Sequence, residues 1–480
     1  MSARNTTARM ALAAALLVSP AALMAQVATD WTQIVKPPLR PFQPQQPRRI
    51  ALPNGLVIFL QEDHELPLIR GTAHVRGGSR EEPAAKVGLV DIYGDVWRTG
   101  GTKARNGDEL DDYLEARAAK VETSSDVDST AVSFDTLKGS LDEVFPVWLE
   151  LLREPGFRED KIELAKNQMN TGIARRNDDA GGIAGREATK LVYGADSPYA
   201  RQAEYATVAA VNRDDLVAWH RSHVHPNNII VTVLGDFDAR QMEARLRKAF
   251  ASWPRGPAAP KVEVAFHEPR PGVYFVAKDD VTQSNVRLVH LGTTRDNPDY
   301  FALEVMNEVF GGGFSARLFT NVRTKKGLAY GVGGGVGSSW DHPGVFQVGL
   351  GTKTETTVAG IEALLEEIDN LQKTPATADE LKRAKDAILN SFVFRFDSKG
   401  KVLAEKVLYE FYGYPPDFLE RYRTAVDAVT AEDVARVAHK YVHKDRLAIL
   451  VVGKQSGFDK PLAALGVVTP LDISIPEPGR

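Results

Sequence analysis

The chain has 480 residues, of which 43% are hydrophobic and 25% are charged, and its formal net charge is -4. This is the composition of a globular protein with enough apolar residues for two or more domains. No block of basic residues stands out, so we expect no nucleic-acid partner. The chain contains no cysteine, which excludes disulfides and a lipid-modified cysteine and leaves stability to the apolar core.

The first 25 residues have the pattern of a secretory signal peptide. Arg4 and Arg9 give a positive start, residues 10–18 form an apolar run, and small residues lead to Ala25. The alternative, an N-terminal membrane anchor, is disfavoured because the run is too short to span a bilayer. No later segment is as apolar without charges, so we predict an exported protein, periplasmic or secreted, with no membrane span in its mature form.

Proline-rich stretches divide the rest of the chain. Residues 26–48 are predicted to be an extended lead-in, and residues 254–261 are predicted to be an interdomain linker. The linker separates two units of similar length, 49–253 and 262–468, and a tail follows at 469–480. The linker position therefore predicts two domains.

The two units resemble each other near their ends. Residues 191–238 and 409–459 each contain a Tyr-Gly pair, a spacer, a helix-like stretch and then a run of Ile, Val and Leu that ends in Gly. Asn212 and Thr430 are the predicted N-caps of the two helices. The apolar runs predict buried strands, so the pattern indicates two copies of one unit.

Within each copy, the strands come before the helices. An Asn-Gly turn opens a predicted strand region at 52–63, and a second follows at 68–79. Helix-like stretches follow at about 84–98, 107–118 and 138–153. The order predicts an α+β fold of two homologous repeats, each a mixed or antiparallel sheet with helices packed on one side.

Several short motifs occur in the order found in one known family. They are LPNGLVIFLQED at 52–63, VRGGSREE at 75–82, TGGT at 99–102, HPNN at 225–228 and VLGDFD at 233–238. Together they resemble the pitrilysin/insulinase family of zinc peptidases, which includes mitochondrial processing peptidase and the core subunits of the cytochrome bc1 complex. The resemblance covers about 49–468 and implies that the two repeats form a clamshell.

Active members of that family carry the inverted zinc motif His-x-x-Glu-His on the helix after the second strand. The two histidines share one zinc ion, the Glu acts as general base, and a distal Glu completes the metal shell. In this chain the three motif positions are Asp91, Gly94 and Asp95, and the distal position falls close to Gly172. The resemblance therefore implies a degenerate motif and no zinc bound by this chain.

One alternative keeps a metal at this place. Asp91 and Asp95 lie one helical turn apart on the same face and could hold a hard cation such as magnesium or calcium. A solvated acidic face is the favoured interpretation. Even with a metal bound, Gly94 leaves no general base for hydrolysis.

The second repeat matches the family's substrate-binding element. Arg323 and Tyr330 are seven residues apart, as in the family's Arg–Tyr pair, and Gly311, Gly312 and Gly313 match its glycine-rich loop. In active peptidases the pair reaches across to the zinc-bearing half, where it hydrogen-bonds the peptide and helps to stabilise the oxyanion. The structural alternative is an Arg323 paired with a surface carboxylate and a Tyr330 in the core.

Two groups of histidines could suggest a further metal site. His220, His223 and His225 lie close together in the first repeat, and His439 and His443 lie in the second. Both groups stand just before the last buried strand of their repeat. The equivalent positions favour a shared structural role over metal binding.

We therefore predict the zinc-less subunit of a heterodimeric metalloendopeptidase, inactive alone, that binds peptide substrates. Its partner is expected to be a zinc-bearing subunit of similar size, and zinc is expected in that partner and not in this chain. Two alternatives remain at this stage. One is a non-enzymatic peptide-binding or scaffold protein of the same fold, and the other is a solitary metallopeptidase that uses Asp91 and Asp95.

Overall fold

The computed structural model describes residues 44–477 of the chain. The predicted signal peptide, 1–25, and most of the lead-in, 26–48, lie outside the described residues. Within the described part, no helix has the length and apolarity needed to cross a membrane.

The first repeat contains a six-stranded mixed sheet in the order β1-β2-β6-β3-β5-β4. Strand β2 runs parallel to β6, and the other neighbours are antiparallel. The elements of this repeat are β1 (Arg48–Ala51), β2 (Val57–Glu62), β3 (Leu68–Arg76), α1 (Leu89–Thr99), α2 (Gly107–Glu115), β4 (Lys120–Ser125), β5 (Ser129–Leu137), α3 (Leu141–Arg153), α4 (Glu159–Arg175), α5 (Ala180–Tyr193), α6 (Tyr205–Ala209), α7 (Arg213–His223), β6 (Ile229–Gly235) and α8 (Ala239–Phe250).

The second repeat contains a seven-stranded sheet in the order β13-β7-β12-β8-β11-β10-β9. Its elements are β7 (Gly272–Ala277), β8 (Gln283–Leu291), β9 (Thr293–Thr294), α9 (Tyr300–Asn307), β10 (Gly331–Ser339), β11 (Pro343–Lys353), α10 (Thr357–Lys373), α11 (Ala378–Phe392), α12 (Lys399–Tyr412), α13 (Phe418–Ala428), α14 (Ala431–Tyr441), β12 (Ala448–Gly453) and β13 (Val468–Pro470). Two π-helical segments, Glu308–Gly312 and Phe319–Lys325, lie between α9 and β10.

The predicted duplication is confirmed strand by strand. The order β2-β6-β3-β5-β4 in one sheet matches β7-β12-β8-β11-β10 in the other. Asn212 caps α7 and Thr430 caps α14, and in both cases an aspartate three residues later closes the capping box. Capping boxes satisfy two of the free amides at a helix start, so both copies fix the helix before the last central strand in the same way.

The α+β fold class is confirmed, and each sheet also receives a helix from the other repeat. On one face, each sheet packs against helices of its own repeat. On its other face, the second sheet packs against α5 of the first repeat, where Ile183 and Val192 join a cluster with Val289 and Leu450. The first sheet likewise packs against α12 of the second repeat. The repeats therefore exchange helices.

The exchanged helices end in the Tyr-Gly pairs that mark the sequence repeat. Gly194 and Gly413 have φ values of +86° and +73°. A residue with a side chain would be strained in this backbone conformation. The Tyr193 hydroxyl donates to the Pro343 carbonyl at 2.8 Å, at the turn between β10 and β11. The Tyr412 hydroxyl donates to Asp128, at the turn between β4 and β5. Each tyrosine thus anchors its helix to a hairpin turn of the other repeat.

Arg80 joins these two hairpin turns. Its guanidinium is 2.8 Å from an Asp128 oxygen and 2.7 Å from an Asp341 oxygen, and its side chain is only 15% exposed. The two carboxylates come from different repeats. Because the two carboxylates are partly buried, water screens their mutual repulsion only weakly. The positive charge of the Arg80 guanidinium between them offsets this repulsion.

The HPNN segment holds the predicted linker against the first repeat. Asn228 donates to the Pro257 carbonyl at 3.0 Å and accepts from the Ala259 amide at 3.0 Å. Asn227 accepts from the Gly256 amide at 2.9 Å. The chain between the two repeats is thus tied to the start of β6 by side-chain amides.

We predict that Arg80→Met destabilises the protein by roughly 3 kcal/mol, because it leaves two partly buried carboxylates without a cation. The matched control is Lys460→Met, which removes a partner of Glu362 in an ion pair whose side chains are 50% and 46% exposed. That change is expected to cost much less, because water screens an exposed ion pair. Chemical unfolding of both variants measures the difference, and equal losses would contradict the role given to Arg80.

Candidate functional site

Helix α1 carries the positions of the degenerate zinc motif, and a buried carboxylate holds its start. Glu82 accepts hydrogen bonds from the Gly88 amide at 3.1 Å and the Val90 amide at 3.0 Å. Gly88, the N-cap, has a φ of +102°. Burial raises the pKa of Glu82 to about 7 although the two amide hydrogen bonds oppose this. The start of α1 is therefore held by a buried carboxyl group and by a glycine in a left-handed conformation.

Asp91 and Asp95 point to the same exposed face of α1, as their spacing predicts. Ser125 at the end of β4 donates to Asp91 at 3.3 Å. Partial desolvation raises the pKa of both carboxyl groups, and the charge of Asp91 raises that of Asp95 further. Like charges with raised pKa values on an open face make a poor replacement for two imidazoles.

The two glycines at motif positions have different surroundings. Gly94 is buried against β4, where Thr123 donates to its carbonyl at 2.6 Å. A Cβ at residue 94 would lie 2.8 Å from Ser125 Oγ and 2.9 Å from Ser125 Cβ. Gly172 on α4 is exposed, and a Cβ there would meet no atom within 4 Å. Ser125 thus occupies the space that a general base on α1 would need.

The residues around these four positions do not fit a zinc centre. Within residues 44–477, no group of three or more His, Cys, Asp or Glu side chains is placed to hold a metal ion. Zinc needs three protein ligands and an open position for hydrolysis, and its water needs a base. Asp91 and Asp95 supply two carboxylates and no base, which gives no support to a solitary metallopeptidase.

Arg323 and Tyr330 lie together on the surface of the second repeat. The Arg323 guanidinium carbon stands 5.6 Å from the centre of the Tyr330 ring and 4.4 Å from the centre of the Phe319 ring. Tyr330 is 82% exposed, so it is not a core residue. No carboxylate of residues 44–477 forms an ion pair with Arg323. Both structural alternatives for the pair are therefore wrong.

The glycine-rich loop lies against β10. A Cβ on Gly311 would stand 2.4 Å from the Gly334 carbonyl oxygen, and one on Gly312 would stand 2.4 Å from a Glu308 carboxylate oxygen. Gly313 ends the π-helical segment in extended backbone. A further glycine-rich stretch, 331–337, forms most of strand β10. Its glycines let the loop backbone approach the strand closely.

Phe314, which follows the glycine loop, was not among the site residues predicted from the sequence. Phe314 is 83% exposed, and its ring stands edge-on to Phe319 at 5.0 Å. Phe319 in turn lies under the Arg323 guanidinium. The signal that could have revealed it is an aromatic residue directly after three glycines. We call Phe314, Phe319, Arg323 and Tyr330 the aromatic patch.

Two of the clustered histidines have structural partners. His220 is hydrogen-bonded to the Tyr93 hydroxyl at 3.0 Å, and burial lowers its pKa to about 3. His223 Nε2 lies 3.1 Å from Glu81, and its ring stacks on Trp219 at 3.8 Å. These contacts agree with the structural role predicted for the group.

Substitution of Gly94 and of Gly172 by alanine should have opposite effects on the stability of the protein. Gly94→Ala is expected to cost a net of roughly 1–2 kcal/mol because its Cβ overlaps Ser125. Gly172→Ala is the matched control, and it should stabilise α4 by up to about 1 kcal/mol through helix propensity alone. Chemical unfolding measures both, and Ser125→Gly should rescue the first variant. Stabilisation by Gly94→Ala would show that Ser125 does not fill the site.

Comparison with known families and proteins gives matches in both repeats. The model for insulinase (peptidase family M16) matches residues 68–181, and the model for the peptidase M16 inactive domain matches residues 210–388. An uncharacterized zinc protease of Streptomyces coelicolor is 25% identical over 422 residues, which is 85% of this chain and 89% of that protein. The non-peptidase homolog YmxG of Helicobacter pylori is 24% identical over 413 residues, 83% of this chain and 92% of that protein.

Solved structures share the fold over nearly the same span. A peptidase M16 inactive domain from Pseudomonas fluorescens superposes with a TM-score of 0.78 at 24% identity, covering 87% of this chain and all of that chain. A protease from Helicobacter pylori superposes with a TM-score of 0.73 at 20% identity, covering 85% of this chain and all of that chain. With both repeats matched in order, the chain belongs to the insulinase family of metallopeptidases, peptidase family M16.

Proposed function

We propose that this chain is the zinc-less subunit of a heterodimeric metallopeptidase, and that it presents Arg323, Tyr330 and the loop Gly311–Gly313 to a zinc-bearing partner of similar size. The observation that carries the proposal is the set of contacts that the Arg323 and Tyr330 side chains make. Within residues 44–477, the Arg323 guanidinium contacts two aromatic faces and no hydrogen-bond acceptor. Tyr330 is 82% exposed and Arg323 is partly exposed, so a second chain with its bound peptide could reach both side chains.

The chemistry of the pair suits a peptide carbonyl in a zinc site. A guanidinium presents fixed N–H donors, and a phenol adds one O–H donor, so both can donate to an oxygen that gains negative charge. Phe319 holds the guanidinium plane from one side, which lowers the entropy lost when a peptide binds. The partner's zinc would supply the activated water for hydrolysis.

The distribution of residues between the repeats supports divided labour over decay. The zinc face has lost both imidazoles, the base and the distal ligand at Asp91, Gly94, Asp95 and Gly172. The aromatic patch retains both donors and adds the exposed Phe314. A large exposed aromatic ring beside a charged group is the composition of an interaction surface. If the chain had lost all function, there would be no reason for it to keep these exposed groups together.

We propose export as the cellular setting. The positive start, apolar run and small residues of 1–25 support a signal peptide. A chain without cysteine is compatible with an oxidising compartment because it has no thiol to be oxidised. A periplasmic or secreted complex follows from this proposal.

A second candidate is a scaffold or peptide-binding protein without any peptidase partner. It is favoured by the relative from Helicobacter pylori that is named a non-peptidase homolog. In that case the aromatic patch would bind a peptide or a protein surface, and the Tyr330 hydroxyl would have no part in catalysis. Activity assays on the assembled complex separate the two candidates.

The test uses this chain, affinity-tagged and isolated from its source organism with whatever chain accompanies it, assayed on quenched fluorescent peptides. Arg323→Ala and Tyr330→Phe are each expected to lower kcat/KM of the complex by roughly 10²–10³, the range for loss of one oxyanion donor. Lys325→Ala is the matched control, because it removes an exposed cation from the same segment and leaves the pair intact.

Three results would overturn the proposal. One is an accompanying chain that is fully active after this chain is removed. Another is equal activity of the Tyr330→Phe and Lys325→Ala complexes. The third is a complex without any chain that carries His-x-x-Glu-His, which would favour the scaffold candidate.

A further inference from the structure

A cavity of about 430 Å³ lies between the first sheet and the exchanged helix α12. Its floor is the outward face of β3 and β6, including Thr72, His74 and Thr232. Its wall is the apolar side of α12, with Leu403, Val407, Leu408 and Phe411. This volume falls in the range of about 300–1,000 Å³ found for small-molecule sites.

The two exchanged helices lie over different residues. Helix α5 lies against β8 and β12, whereas α12 lies against β2 and β6. If the glycines that end β6 and β12 are equated, the pairing registers place His74 where the second sheet has Val289, and Thr232 where it has Leu450. Val289 and Leu450 pack under α5 as part of an apolar cluster.

At the positions of His74 and Thr232, polar residues thus replace apolar ones under a helix that keeps its apolar face. Leu403 and Val407 pack with Phe59 and Ile230 at one side of the cavity. Toward β3 the same helix meets an imidazole and two hydroxyls. Apolar groups and hydrogen-bonding groups do not satisfy one another, so the helix stands away from β3.

The His74 ring has hydrogen-bonding capacity to spare. Within residues 44–477 its two nitrogens have no hydrogen bond or ion pair, and burial lowers its pKa to about 4. At neutral pH the ring is therefore uncharged, with one donor and one acceptor. Among the residues that the structure describes, the Thr232 hydroxyl has one hydrogen-bond partner, the Thr72 carbonyl, at a long distance of 3.5 Å.

Two of the three charged groups at the cavity mouth have charged partners: Arg70 donates to Asp135 at 2.7 Å, and Asp128 is held by Arg80 and Tyr412. The third, Asp126, accepts from the Val127 amide at 2.7 Å and is exposed, so water screens its charge. The lining thus holds no buried charge that lacks a partner. The lining favours an uncharged molecule with an apolar body and one hydrogen-bonding group.

We propose that this cavity is a binding site for a small, uncharged amphipathic molecule, whose apolar body lies against α12 and whose hydroxyl or amide group meets His74. The site is separate from the aromatic patch and goes beyond the proposed peptidase role. Because α12 links the repeats, an occupant would also fill the gap between them.

The test measures binding of 1-naphthol and naphthalene to the full chain by fluorescence titration. The wild type should bind 1-naphthol at one site, about two- to tenfold more tightly than naphthalene, as one net hydrogen bond provides. His74→Leu should remove this preference while naphthalene still binds. Ala404→Trp should abolish binding of both probes, because residue 404 lines the cavity and is exposed, so the larger ring fits without displacing the core.

The matched control is Ala387→Trp, which adds the same ring at an exposed position of α11 away from the cavity. It should leave both affinities unchanged. The proposal is overturned if the wild type binds neither probe, if Ala404→Trp binds both as tightly as Ala387→Trp, or if the preference for 1-naphthol persists in His74→Leu. Near-equal melting temperatures of the two tryptophan variants exclude misfolding as the cause of a loss.

Discussion

The exchange of α5 and α12 between the repeats is the constraint on which the rest of the structure depends. Each sheet has one face covered by helices of its own repeat, and the exchanged helix covers part of the other face. Neither repeat could separate without exposing apolar strands such as β12, whose residues are all buried. Arg80 and the two anchoring tyrosines lock the same junction. The aromatic patch and the cavity beneath α12 therefore belong to one continuously packed frame.

Much of this frame could be predicted from local patterns. The N-caps Asn212 and Thr430, the Tyr-Gly pairs and the apolar runs of β6 and β12 all lie where the sequence indicated. The exchange could not be predicted, because an apolar helix face such as that of α5 suits any apolar sheet. The sheet on which α5 packs is determined by its contacts with Val289 and Leu450, which lie far away in the sequence. The hydrophobic periodicity of α5 itself does not reveal these contacts.

In the candidate site, too, some features could be predicted from the sequence and others could not. Comparison with the zinc motif predicted that Asp91 and Gly94 stand where the family has His and Glu. The position of Ser125 against Gly94 could not be predicted, because it depends on how β4 packs on α1. The exposure of Tyr330 and Phe314 was also hidden, since aromatic residues are more often buried than exposed. The glycine-rich stretch 331–337 gives no strand signal in the sequence, because its glycines are explained only by the loop backbone that approaches β10 closely.

The central claim is that this chain provides the peptide-binding half of a site whose metal belongs to another chain. Native mass spectrometry of the complex, isolated through a tag on this chain, tests it most directly. The account predicts one copy of this chain, one chain of similar size that carries His-x-x-Glu-His, and one zinc ion that leaves with the second chain on dissociation. A zinc ion retained by this chain alone, or an assembly made only of its own copies, would contradict the account.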